Sequence, residues 1–207
     1  MSSSTLNKYT PLVDKLKRES GERTFPIWLL FNPKHPVVSH YIWTPVLTEI
    51  QDMVYRELHT RINTSAIYFR NVVSDSAIVP RTANWWGAQV ATEIERFREI
   101  VLEHNPRILI SFGAFPYEFV RRAYGIKPEK GPKSWGNSNL GDEFTKSIES
   151  FDINDTNRIP LLRHMASSGK YKENQNQNYF ENYIHYVGTK IAAKIIENKN
   201  SIDIWIQ

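Results

Sequence analysis

Two asparagines and a histidine stand where this sequence could do chemistry. Asn32, followed by Pro33, ends the apolar run Phe25-Pro26-Ile27-Trp28-Leu29-Leu30-Phe31. Asn71 follows Ala66-Ile67-Tyr68-Phe69-Arg70, and His164 follows Arg158-Ile159-Pro160-Leu161-Leu162-Arg163. A carboxamide can hold a water or read a ligand's polar edge, but it is not a strong base. An imidazole held in a dry pocket can donate to an atom on which negative charge develops. Each residue also has a plainer reading. Asn-Pro after a strand is a common turn, a lone Asn at a strand end satisfies nearby backbone groups, and a lone His in a loop is solvated. What sets the three apart is their shared context, because each ends a segment patterned as a buried strand.

The elements that would position them can be read from periodicity. Residues 5–20 have helical spacing, with Leu6, Tyr9, Leu12, Val13 and Leu16 on one face, and Gly21 can end that helix. The runs at 25–31, 66–69, 107–112 and 158–163 read as strands buried on both faces. Helices are expected over 45–58 with Thr44 as N-cap, over 86–104, from Pro116 to Tyr124 after a tight turn at Gly113, and over 179–198. Residues 125–157 are rich in Gly, Asn, Ser, Asp and Lys and read as a surface insertion, with room for a short hairpin. Pro160 places the fourth strand at an edge, and Ile202–Ile206 alternates like a stray edge strand. The order α-β-α-β-α-β-α-β-α predicts an α/β fold of three layers, α/β/α, around a central four-stranded parallel sheet. Ligands of such sheets bind outside the carboxyl ends of the strands. Asn32, Asn71 and His164 should therefore converge at one edge.

Composition bounds the rest. A length of 207 residues suits one domain spanning 1–207, and 41% hydrophobic with 13% aromatic residues can build a core. The chain has no cysteine, which excludes disulfides, thiolate zinc sites, iron–sulfur clusters and a Cys nucleophile. No run approaches the ~18 apolar residues of a membrane span, and the N-terminus lacks the apolar stretch of a secretion signal, so a cytoplasmic protein is expected. The net charge of +4 permits a polyanionic partner, with Arg121, Arg122, Lys127, Lys130 and Lys133 as the nearest thing to a basic cluster. There is no nucleophile elbow around Ser111-Phe112-Gly113 and no glycine-rich phosphate loop. His35 and His40 lack a nearby carboxylate set, so no metal is expected. Trp85 and Trp86 read as a helix cap or a stacking surface, and Asp75 and Arg81 as solvated residues that could line a pocket.

The order and spacing of these segments resemble the uracil-DNA glycosylase superfamily across residues 25–198. W-L-L-F-N-P-K-H resembles that family's first motif, written G-I-N-P-G or G-Q-D-P-Y in different branches. I-Y-F-R-N-V-V resembles its second strand, ending in N-x-V, and P-R-I-L-I-S-F-G-A-F its third strand and glycine turn. R-H-M-A-S-S-G-K resembles its second motif, H-P-S-P-L-S, and Y-F-E-N-Y-I-H-Y-V-G-T-K-I-A its last helix. Asn rather than Asp in the first motif is similar to the mismatch-specific and single-strand-selective branches.

The resemblance implies that Asn32 positions the attacking water, Asn71 reads the flipped pyrimidine, and His164 stabilises the departing base. It places Tyr41 or Trp43 as the aromatic stacking on that base, and Ser167, Ser168 and Lys170 at phosphate contacts and the helix wedge. The chain departs from the pattern in several places. Leu30-Phe31 stands where the first motif has a leading glycine, which brings Phe31 to a turn where backbone approaches the sugar. His35 replaces a small or aromatic residue. Met165-Ala166 replaces Pro-Ser, and the leucine wedge is missing, so that Met165 or Tyr171 would wedge instead. The implied activity is a monofunctional, cofactor-free, monomeric DNA glycosylase of base excision repair that removes uracil or a related damaged pyrimidine. Two alternatives are a non-catalytic DNA- or base-binding module on the same fold and a nucleoside or nucleotide hydrolase.

Overall fold

The computed structural model describes residues 19–35, 37–79, 86–163 and 173–206. Along the chain the elements are strand β1 (Glu19–Ser20), strand β2 (Ile27–Phe31), a π-helical turn (Ser39–Trp43) running into helix α1 (Thr44–Leu58), strand β3 (Tyr68–Asn71) and helix α2 (Ala88–His104). Strand β4 (Ile108–Phe112), helices α3 (Ala114–Ala123) and α4 (Asn137–Glu149), strand β5 (Asn157–Leu161) and helix α5 (Glu173–Glu197) follow.

The strands form one sheet in the order β1-β3-β2-β4-β5. The four predicted strands are β2 to β5, and their pairings are all parallel. Register places Asn71 opposite Phe31, Ser111 opposite Leu30, and Leu161 opposite Phe112. Strand β5 lies at the edge, where the missing N–H of Pro160 costs no ladder bond on a central strand.

Alternation along each strand divides the core in two. Ile27, Leu29, Phe31, Ile108, Ile110, Phe112 and Leu161 face Val46, Ile50 and Val54 of α1 and Val187, Ile191 and Ile195 of α5. On the other face Trp28, Leu30, Tyr68 and Leu109 meet Val90, Phe97 and Val101 of α2 and Phe119 and Val120 of α3. Period-two side-chain direction in the strands and 3.6-period spacing in the helices produce this division.

Four expectations need correction. The sheet has five strands rather than four, because Glu19–Ser20 pairs antiparallel with β3. Those two residues were expected to end a helix; the rest of that segment lies outside the described residues. The Glu19 carboxylate instead accepts hydrogen bonds from the Tyr68 hydroxyl at 2.6 Å and from Arg23 at 2.9 Å, fixing an extended segment on the sheet edge. Second, residues 125–157 are not a loose excursion. They contain α4, which buries Leu140, Phe144 and Ile148, one residue every four, beneath the polar positions that masked them. Third, Thr44 does not cap α1: the π-helical turn runs straight into it, Trp43 before it is itself helical and no side chain caps the end, while the Thr44 hydroxyl donates back to the Ser39 carbonyl at 3.1 Å. Fourth, the tail makes one isolated bridge, Trp205 to Ile62, instead of a sheet strand. Among the described residues no helix is long and apolar enough to cross a membrane.

Candidate functional site at the carboxyl edge of the sheet

Asn32 is the first residue beyond β2 and is only 9% exposed. Its Oδ1 accepts the Lys34 N–H at 3.0 Å, and its carbonyl accepts the His35 N–H at 2.9 Å. The turn fixes the amide orientation, because only an oxygen can receive that backbone N–H. Nδ2 makes no hydrogen bond with the described residues, and Asn32 lines a cleft at this edge.

That cleft encloses about 370 Å³, within the roughly 300–1,000 Å³ usual for small-molecule sites. Lys34 and His35 continue its wall after β2, while Phe112 and Gly113 close the end of β4. The first turn of α3, Trp135 with the start of α4, and Arg163 after β5 complete it. Topology explains why these distant segments meet, since β2, β4 and β5 are parallel neighbours and their carboxyl ends open on one side.

Gly113 is required at the turn from β4 into α3. Its φ is 86° and its ψ 179°, a region essentially reserved for glycine. A Cβ there would lie 2.8 Å from the Arg163 Cβ. Its N–H donates to the Leu161 carbonyl at 2.7 Å, joining β4 to the end of β5.

The electrostatics are one-sided. None of the described lining residues is a carboxylate. The Lys34 ammonium reaches the Val79 carbonyl, and the Arg163 guanidinium contacts His35 Nε2. A guanidinium has only donors, so a hydrogen bond between them requires Nε2 to accept. Burial pushes the Arg163 guanidinium below its ordinary pKa. The α3 N-terminus adds partial positive charge from its leading N–H groups. Phe112 lines the cleft but is buried and stacked on Phe31, so the cleft offers chiefly donors and cations, suiting a ligand with carbonyl oxygens and an attached anion.

The residues expected from sequence distribute unevenly. Asn32 lines the cleft. Asn71 shares the carboxyl edge one strand over and is half-buried, but it is not among the residues lining that cleft. Phe31 is core, stacked on Phe112 with centroids 4.5 Å apart and planes 5° from parallel, because its alternate position points toward α1. Trp43 is buried edge-on to Phe112 at 6.2 Å, and Tyr41 is exposed beside His40. Both belong to the π-helical turn, which turns Trp43 into the core and leaves Tyr41 in solvent. Asp75 accepts the Ala77 N–H at 2.8 Å and caps a short 3-10 turn. Trp86 stacks on Phe115, with Arg122 over its ring. His164, Met165, Ser167, Ser168 and Lys170 lie outside the described residues, as do Arg81, Trp85 and Tyr171. Sequence reasoning missed Lys34, Phe112, Trp135 and Arg163; two of these, Phe112 and Arg163, stand at the ends of runs already read as strands.

Compared with known proteins, the chain matches no protein-family model and no curated protein.

Proposed function

We propose that this chain is a DNA N-glycosylase that flips uracil, or a related damaged pyrimidine, into the cleft at the carboxyl edge of the sheet and hydrolyses its N-glycosidic bond. The observation that supports this most directly is Asn32: a nearly buried amide, locked by the Lys34 N–H, lining a cationic cleft. Bond breaking builds positive charge on the sugar and negative charge on the base. A sugar cation is reactive enough that water needs orientation more than deprotonation. The second lone pair of Asn32 Oδ1 can accept a water proton and Nδ2 can donate, which is what a carboxamide offers and a strong base is not needed for. His164 follows Arg163 directly in sequence, and in this reading it donates to the departing base; losing such a donor typically costs about 3–4 kcal/mol of barrier. Lys34 and Arg163 attract the phosphodiester, and the base must leave the stack to reach the pocket.

Incubation with single- and double-stranded oligonucleotides carrying one uracil, followed by alkali, should yield strand breaks with the native protein. Breaks should disappear in Asn32→Ala and His164→Ala. Absence of breaks with the native protein on every substrate rejects the reading. A second reading has one observation in its favour: none of the described lining residues is a carboxylate, so no paired acid and base appears among them. A binding module would then retard the oligonucleotide without breaks, the more weakly the higher the salt, and a nucleoside hydrolase would release base from free nucleosides only.

A further inference from the structure

The cleft wall opposite in sequence to the Asn32 turn comes from the segment between β4 and β5, and one buried carboxylate organises it. Glu118, on α3, has no solvent exposure. Its Oε2 accepts Trp135 Nε1–H at 3.0 Å and Arg121 Nη1–H at 2.6 Å. Its Oε1 accepts the Lys130 backbone N–H at 2.7 Å and Arg122 Nε–H at 3.3 Å. Four donors thus satisfy one carboxylate, in a buried setting where a half-satisfied group would be destabilising. Three of those donors tie α3 to itself or to the 130 loop; the fourth ties it to Trp135, which lines the cleft.

The indole is held on several sides at once. Lys130 Nζ lies 4.4 Å and the Arg121 guanidinium carbon 5.2 Å from its ring, and Tyr117 meets it edge-on at 4.9 Å. The ring is 4% exposed. These contacts hold the indole in one position where it lines the cleft. No part of the proposed hydrolysis needs this indole or this carboxylate, which leaves a fixed wall as what they contribute.

We propose that Trp135 is the residue that sets the size of base the cleft admits, and that Glu118 is the positioning residue that holds its ring in place. This rests on the reading of the cleft as a base pocket. Trp135 excludes the wider purine ring system and accepts a single pyrimidine ring. Glu118 acts only through Trp135 and the 130 loop. Replacing it by Gln leaves one acceptor oxygen and sets an NH2 group against two of the four donors, so the indole loses its fixed orientation.

The test is calorimetric titration of the full chain with free uracil and free adenine, for the native protein and for Trp135→Phe, Trp135→Ala and Glu118→Gln. The native protein should bind uracil more tightly than adenine. Trp135→Ala should narrow that ratio by about tenfold or more, the scale on which a pocket discriminates by ring or methylene size. Trp135→Phe, which keeps a ring in place, should narrow it less, and Glu118→Gln should fall between. Circular dichroism checks folding; if Glu118→Gln does not fold, the two Trp135 variants decide the matter. A merely structural role would lower the melting temperature and leave the uracil-to-adenine ratio unmoved. An unmoved ratio in Trp135→Ala overturns this inference alone, while a native protein that binds neither base overturns the base-pocket reading and this inference with it.

Discussion

At the residue scale, Asn32 has two separable properties. Its Oδ1 closes the turn onto the Lys34 N–H, and the residue lines the cleft. Asn32→Ala removes both: it strands a backbone N–H, at a cost of roughly 1 kcal/mol or more, and it removes the group that orients water. Asn32→Asp keeps an acceptor for the Lys34 N–H and exchanges the donor for a carboxylate that can take a proton from water, in a cleft lined by Lys34 and Arg163 and by no described acidic residue. The Asp variant should therefore retain excision of uracil, with a rate that rises with pH as the new carboxylate ionises, whereas the Ala variant should lose about 100-fold or more. Equal loss in both would assign Asn32 to donation and not to water. The position of Asn32 was legible because an apolar run stopping at Asn-Pro marks a strand end. Phe31 and Trp43 were set near the ligand by the resemblance, which does not carry side-chain direction: strand alternation turns Phe31 into the core, and the π-helical turn does the same for Trp43.

Among elements, the legible ones were those whose apolar period is unbroken. Strands β2 and β4 and helix α2 are of this kind, and each appears within a few residues of where its pattern predicts. Helix α4 was hidden because its burial rests on three residues spaced four apart, Leu140, Phe144 and Ile148, within a polar stretch. β1 was hidden because two residues carry no periodicity and a tyrosine from β3 fixes them. The β4–α3 turn shows an element boundary acting on the site. Gly113 was readable as a tight turn, but its pressure on Arg163 depends on β5 lying alongside, which no local pattern contains. Gly113→Ala should cost about 1–3 kcal/mol for the backbone conformation alone, read as a lower urea midpoint. It should also displace Arg163, since a Cβ at 2.8 Å leaves no room, and weaken oligonucleotide binding beyond what the stability loss explains. Unchanged binding by the folded variant would show that Arg163 is not part of the ligand site.

Over the whole molecule, a net charge of +4 says less than how charges are partnered. The basic cluster visible in the sequence is largely neutralised within itself: Arg121 and Arg122 are bound to Glu118, and Arg122 and Lys127 to Glu129. Cationic character persists instead in the cleft, where no described lining residue is acidic. The same partnering makes the fold sensitive to acid. Burial opposes ionisation of Glu19, but hydrogen bonds from Tyr68 and Arg23 outweigh it and hold its carboxyl below the usual range. Burial likewise opposes ionisation of Glu143, and Lys146 and Tyr117 outweigh it. A carboxyl whose folded pKa lies below its unfolded value binds fewer protons when folded, so its stabilisation is complete above the unfolded value, near 4.3 for Glu, and is lost as pH falls through the folded one. The melting temperature should thus decline as pH drops from about 5 toward 3. Glu19→Gln and Glu143→Gln remove groups that cause the decline. Each variant should melt below the native protein at pH 6, and its curve should approach the native one as the pH falls through the lowered folded pKa, where the native carboxyl takes up its proton. Curves that stay parallel through that interval would mean that the ionised forms of these two carboxylates add nothing to stability, and that the edges they fasten through Tyr68 and Tyr117, β1 onto β3 and α4 onto α3, do not depend on their charge.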